Sequence, residues 1–296
     1  MRVNPDPYPD LLAAVAQTQQ QVNTDEQEIA TGQSVNLPSD NPAAAALLIQ
    51  NANASSQADQ FERSIGSIQG EIQNADSALD AVTTALQQAI SLGVEGANGT
   101  MNNADRQALA TQVEGIQSQL LSLANLSYQG NYVFAGTANQ TTPYVLNASS
   151  ASGVTYQGNT GVNRVSLGSQ FSLQTNLPGS QLFSQPGSDV FQSIQDLING
   201  LQSGTGIEAA VTEVGAANNY ISSQSVFYGN ALNELTAQQT YLSTETTQLS
   251  QQQNTVGGAD LTAVISNLTT AQTSLQATLE AIGQTASTNL FQYLRQ

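Results

Sequence analysis

The chain of 296 residues has no cysteine, no histidine, no tryptophan and no lysine. Without cysteine there are no disulfides and no thiolate metal sites. Without histidine the commonest general base and the imidazole ligand are missing as well. Carboxylates and hydroxyls are all that is left for catalysis, so the composition points away from an enzyme, and neither a cofactor nor a metal site is expected. Positive charge is nearly absent. Five arginines (Arg2, Arg63, Arg106, Arg164, Arg295) stand against 22 acidic residues, a formal net charge of -17 at pH 7. Five scattered cations cannot build a basic patch, which excludes nucleic acid and anionic membrane surfaces as partners. No apolar run approaches a membrane span, and the opening MRVNPDPYPD lacks the basic-then-apolar layout of a cleaved signal. The missing lysine has two readings, exposure to an acidic medium or a composition bias.

What the chain does have is periodicity. Near its start Leu12, Val15, Val22 and Ile29 recur at steps of three and seven, and near its end Leu261, Val264 or Ile265, Leu268, Leu275, Leu279 and Ile282 recur at steps of three, four and seven. Each is a helix with one narrow apolar stripe among Gln, Thr, Asn and Ala. A stripe that narrow has no core of its own and wants a partner helix. The two ends are therefore expected to pair with each other and then with neighbouring copies. Pro5, Pro7 and Pro9 keep the lead-in non-helical until about Leu11, and Gly32 stops the first helix. Asn41 is placed to cap the next one, with Pro42 in its first position.

From Ala43 to about Val94 the pattern is helical, with a heptad over Ile65, Ile68, Ile72, Ala75, Leu79, Val82, Leu86 and Ala89. At 1.5 Å per residue such a helix is roughly 75–80 Å long. Gly93, Gly96 and Gly99 are read as its end. Asn103 is read as the cap of a second helix carrying Leu109, Val113, Ile116, Leu120 and Leu123, which folds back as a hairpin. Between Gly130 and Pro186 the period changes to short β segments at 131–134, 154–156, 162–167 and 171–173. After a helix at 190–201 comes the longest pattern, in which Val214, Ile221, Tyr228, Leu235, Leu242, Leu249 and Val256 are seven apart without a slip. The expected class is mainly α, a long coiled-coil-like helical bundle with paired terminal helices and a small inserted β-rich domain.

Several stretches are familiar. Glu28 to Ala45 (EIATGQSVNLPSDNPAAA), Asn131 to Thr137 (NYVFAGT), Gly153 to Gly158 (GVTYQG) and the ending Asn289 to Leu294 (NLFQYL) resemble the hook-filament junction branch of the bacterial flagellin superfamily. The resemblance covers nearly the whole chain. It implies a structural adapter between flagellar hook and filament, exported unfolded through the flagellar type III channel and placed outside the cell. Implied partners are further copies in a ring or helical lattice, flagellin, the other hook-filament junction protein and an export chaperone. It also assigns segments: 1–40 and 258–296 as paired axial helices, 41–130 and 188–257 as the rod, and 131–187 as an outer β-rich domain. The candidate assembly residues are then Leu12, Val15, Val22, Ile29, Leu261, Ile265, Leu268, Leu275, Leu279, Ile282, Leu290 and Phe291.

Other readings stand beside this one. A flagellin would polymerise alone, and a secreted coiled-coil adhesin would need no lattice. Asp25, Glu26, Glu28 and Asp40 read as a solvated face and helix caps, since the spacing of a calcium-binding loop is absent. The Tyr and Phe residues of the insert read as its own small core.

Overall fold

The computed structural model describes residues 8–168 and 171–293, and it divides into two compact units. One is residues 58–243; the other joins residues 1–57 to residues 244–296. Seven helices run through them: α1 (Tyr8–Thr31), α2 (Pro42–Gly96), α3 (Asn103–Ala124), α4 (Gly179–Leu182), α5 (Val190–Ser203), α6 (Ile207–Gly257) and α7 (Leu261–Tyr293). The fold is the mainly α bundle that the periodicity indicates, with a small β-rich insert between α3 and α4.

In the unit of residues 58–243 the heptads are the core. Ile65, Ile72, Leu79, Val82, Leu86 and Ala89 of α2 are fully buried, as are Val214, Ile221, Tyr228 and Leu235 of α6. Each large apolar side chain removed from water contributes on the order of 1.5–3 kcal/mol, so this stripe is what holds the long helices together. Helix α3 runs back along α2, with Gln112 and Ile116 beside Gln88, Ser91 and Leu92, and it also lies against α5. Gln117 Nε2 donates to Gln195 Oε1 at 3.1 Å and Gln202 Nε2 donates to Glu114 Oε1 at 3.1 Å, an antiparallel register.

One terminus assignment shifts by a residue. The cap of α3 is Asn102, whose side chain accepts from Asp105 N at 2.9 Å and donates to Asp105 Oδ2 at 2.7 Å, so Asn103 is already helical. Helix α2 ends at Gly96, within the expected glycine-rich stop, with Gly93 in its last turn. A side chain at Gly93 would run into Leu197 and Val211, and one at Gly96 into Leu201, so these glycines also serve close packing.

The insert is three separate antiparallel hairpins: β1 (Ser127–Tyr128) with β2 (Asn131–Tyr132), β3 (Tyr144–Leu146) with β4 (Val154–Tyr156), and β5 (Arg164–Ser166) with β6 (Ser172–Gln174). Two-stranded ribbons are marginal alone, and here they share an aromatic core with the helices. Phe134, Tyr144, Phe183 and Phe191 stack with centroids 4.9–6.3 Å apart where they touch. The Tyr144 hydroxyl bonds Gly179 O at 2.8 Å and Ser184 Oγ at 2.9 Å, while Asn125 clasps the Tyr144 backbone through both ends of its amide. Burial pushes the Tyr144 and Tyr228 hydroxyls well above the ordinary tyrosine range, so both stay neutral donors and acceptors. The expected core reading of the aromatics therefore holds. Tyr144→Phe is expected to cost about 1–2 kcal/mol in urea unfolding, because Gly179 O and Ser184 Oγ lose a partner in a dry site.

Candidate functional site

The other unit contains both chain ends. Helix α1 lies against α7, and the turns that lead into and out of them are stitched to each other. Gly32 takes a left-handed conformation (φ 67°), closing α1 with Gly32 N to Glu28 O at 2.8 Å. Beyond it Gln33 and Gly258 form an antiparallel bridge, Ser34 N donates to Gly257 O at 2.8 Å and Ala259 N donates to Gly32 O at 3.0 Å. The breaks at Gly32 and at Gly257-Gly258 are thus two halves of one joint. Asp40 Oδ2 accepts from Asn36 N at 3.1 Å and Leu37 N at 2.8 Å, and Asn41 Oδ1 accepts from Ala44 N at 3.1 Å to start α2. Asn41→Ala is expected to remove about 1 kcal/mol and to speed proteolysis within residues 33–41.

Burial along the terminal pair follows three-four steps on both helices. On α1 the inward set is Leu11, Val15, Thr18, Val22, Asp25 and Ile29, with Val22 and Asp25 fully buried. On α7 it is Val264, Leu268, Ala271, Leu275, Thr278 and Ile282, with Val264 and Ala271 fully buried. This is coiled-coil spacing, with polar or small residues taking alternate positions.

The twelve candidate assembly residues therefore fall into different places. Val15, Val22, Ile29, Leu268, Leu275 and Ile282 occupy the seam between α1 and α7. Leu12, Leu261, Ile265 and Leu279 do not: they are 46–53% exposed. Leu290 and Phe291 lie on the helical backbone of α7, but their side chains fall outside the described residues. At two positions the candidate set took the neighbour of the seam residue, Leu12 for Leu11 and Ile265 for Val264, and the small or polar seam members it missed are Asp25, Thr18, Ala271 and Thr278. Their signal was the unbroken three-four spacing, which a search for large apolar residues passes over.

Beside the pair, Val35, Leu37, Pro38, Ala45, Leu48 and Ile49 line an open apolar groove of about 300 Å³, with Leu37 and Ile49 more than half exposed. The acidic residues sit close by. Asp25 accepts from Gln21 Nε2 at 2.9 Å through Oδ1, and its buried Oδ2 has no hydrogen-bond partner among the described residues. Burial, then Asp25, then Asp40 raise the Glu28 carboxyl above its ordinary value. No group of three acidic side chains among the described residues converges to hold a metal ion, and no described helix is long and apolar enough to cross a membrane.

The terminal helices pair along one stripe and leave Leu12, Leu261, Ile265 and Leu279 exposed. Residues 8–139 match the bacterial flagellin N-terminal helical region. The whole-chain similarity is narrower. Flagellar hook-associated protein 3 of Escherichia coli is 27% identical over 293 residues, covering 90% of both chains. The protein of that name from Salmonella typhimurium is also 27% identical, covering 91% of this chain and 92% of its own. Among solved structures, the flagellar junction protein of Legionella pneumophila aligns with a TM-score of 0.61 at 13% identity, over 72% of this chain and 100% of its own. The chain is thus similar over most of its length to proteins named flagellar hook-associated protein 3, and its fold is similar to that of a flagellar junction protein.

Proposed function

We propose that this chain is a structural adapter of the bacterial flagellum, the subunit of the junction ring between hook and filament. The observation that carries the reading is the apolar side of the terminal pair, where Leu12, Leu261, Ile265 and Leu279 face outward while a second stripe closes the pair within the chain. Leu261, Ile265 and Leu279 recur on one face of α7, and each exposed apolar side chain there gains when another molecule covers it. A heterologous contact, in which this side meets a different surface on the next copy, propagates into a helical lattice instead of closing as a dimer. The bundle of residues 58–243 then acts as a stiff spacer, and the β-rich insert is the outer domain.

The partners follow from the place: further copies, flagellin on one side, the other junction protein on the other, and an export chaperone during transit through the flagellar channel. The location is extracellular, on the flagellum. Its action is geometric, and no chemistry is required of it.

Deletion of the gene tests this reading. Cells lacking the chain should assemble hooks, release flagellin into the medium and carry no filaments, because filament subunits then have nothing to build on. Full-length filaments on the deletion strain would contradict the assignment.

A further inference from the structure

The terminal unit has no cationic side chain among its described residues. Its charges are carboxylates, and three of them gather where α1 ends: Asp25, Glu28 and the turn residue Asp40. Asp25 and Glu28 are three apart on one helix, a spacing at which like charges repel. Asp25 is only 3% exposed and lies in the seam with one carboxylate oxygen unpartnered, and a buried polar atom without a partner is costly. Asp40 is held in place by the Asn36 and Leu37 amides and cannot swing away without undoing the turn.

Among the described residues no cation of this unit offsets the cluster. The first turns of α2, residues 42–57, carry no charged side chain, α6 contributes Glu245, and α7 brings Asp260 just before its first turn and Glu280 along it. Asp10 and Glu26, on α1 itself, add the same sign. The carboxylates do not converge as ligands for a metal ion. A proton needs no coordination shell, and it is the counter-charge this arrangement accepts.

We propose that protons brace the terminal pair: acid surroundings relieve the repulsion gathered on Glu28 beside Asp25 and Asp40 and tighten α1 on α7, and neutral medium loosens them. The direction follows from linkage. A carboxyl whose value is raised in the folded state costs no stability below its titration range, and stability is lost as pH rises through that raised value. Glu28 is such a group. The lack of lysine fits the same condition, because a fully protonated chain carries only five positive side chains and repels itself little. This inference stands on the terminal unit alone and does not depend on the junction reading.

The test is hydrogen exchange on the full chain at pH 7, 5 and 4, corrected for the intrinsic pH dependence of exchange. Amides from Val15 to Ile29 and from Val264 to Leu275 are compared with those from Val214 to Leu235 as an internal reference. Protection of the terminal amides should rise severalfold relative to the reference as pH falls from 7 to 4. Glu28→Gln should already show the higher protection at pH 7 and respond weakly to acid, while Glu26→Gln, changing an exposed carboxylate on the same helix, should respond as the unmodified chain does. Terminal protection that stays flat or falls on acidification, or a Glu28→Gln variant with the full acid response, would overturn the proposal.

Discussion

Replacing Leu261, Ile265 and Leu279 together by aspartate should abolish incorporation into flagella while leaving the isolated chain folded. The three side chains are 46%, 53% and 51% exposed, so each substitution removes little intramolecular packing and should change unfolding free energy by no more than about 0.5 kcal/mol. In a lattice the cost is of another order. Covering an unpaired carboxylate costs several kcal/mol, and each copy would carry three. Circular dichroism and thermal unfolding report the first half; the protein content of sheared flagella and swimming report the second. Aspartate at Leu268, Leu275 and Ile282 should behave differently, because those side chains belong to the seam inside the chain. That variant should separate α1 from α7 before any lattice contact is tried. Wild-type incorporation of the first variant would remove the outward apolar side from the account.

Gly136→Val should be the most damaging single change in the β-rich insert, at about 3–4 kcal/mol. Gly136 sits at φ 72°, where a branched side chain is strained by about 1–2 kcal/mol, and any side chain there would collide with the backbone carbonyl of Asn159. Asn159 cannot yield freely. Its Oδ1 accepts from Thr137 N and Gly161 N, both at 2.9 Å, and the Gly136 carbonyl accepts from the buried Asn176 Nδ2 at 3.2 Å. Moving either loop breaks these bonds, of which the one from Asn176 is buried, adding about 1–3 kcal/mol. Urea unfolding should therefore shift to lower concentration, with early loss of the tyrosine near-ultraviolet signal. Gly215→Ala is the contrast: that glycine lies in α6 with open space around it, and alanine should add up to about 1 kcal/mol. A loss under about 1 kcal/mol for Gly136→Val would show that the junction of these loops is softer than its hydrogen bonds imply.

The long helices were legible because their periodicity is repeated over many turns. The seven-residue column from Val214 to Leu242 is buried throughout, and the Asn41-Pro42 start of α2 forms as its chemistry indicates. The misreadings share a cause. Local signals were taken at face value where a distant contact decides. Gly93 looks like a terminator, but α5 and α6 press against it and the helix runs on to Gly96. Helix α1 begins at Tyr8, earlier than the expected Leu11, since Pro9 is tolerated in a first turn. Strands β1 and β3 escaped notice because two or three residues give no period to read, and what pairs them is a turn or an asparagine side chain.

The terminal stripe was half legible. Its existence follows from Leu, Val and Ile at three-four spacing, but which of Val264 and Ile265 faces inward depends on where α1 lies. The structure puts Val264 in the seam at 6% exposure and Ile265 outside at 53%. Asp25 could not be placed in the seam from composition at all, since a carboxylate in that position ordinarily marks a solvated face.

The measurement that tests the central claim most directly is negative-stain microscopy of the purified chain at high concentration, alone and with fragments of hook or flagellin filament as seeds. The junction account predicts a chain that forms no long filaments by itself and adds as a thin layer at the ends of the seeds. Long filaments of this chain alone would make it a filament subunit, and a chain inert toward both kinds of end would contradict the adapter role.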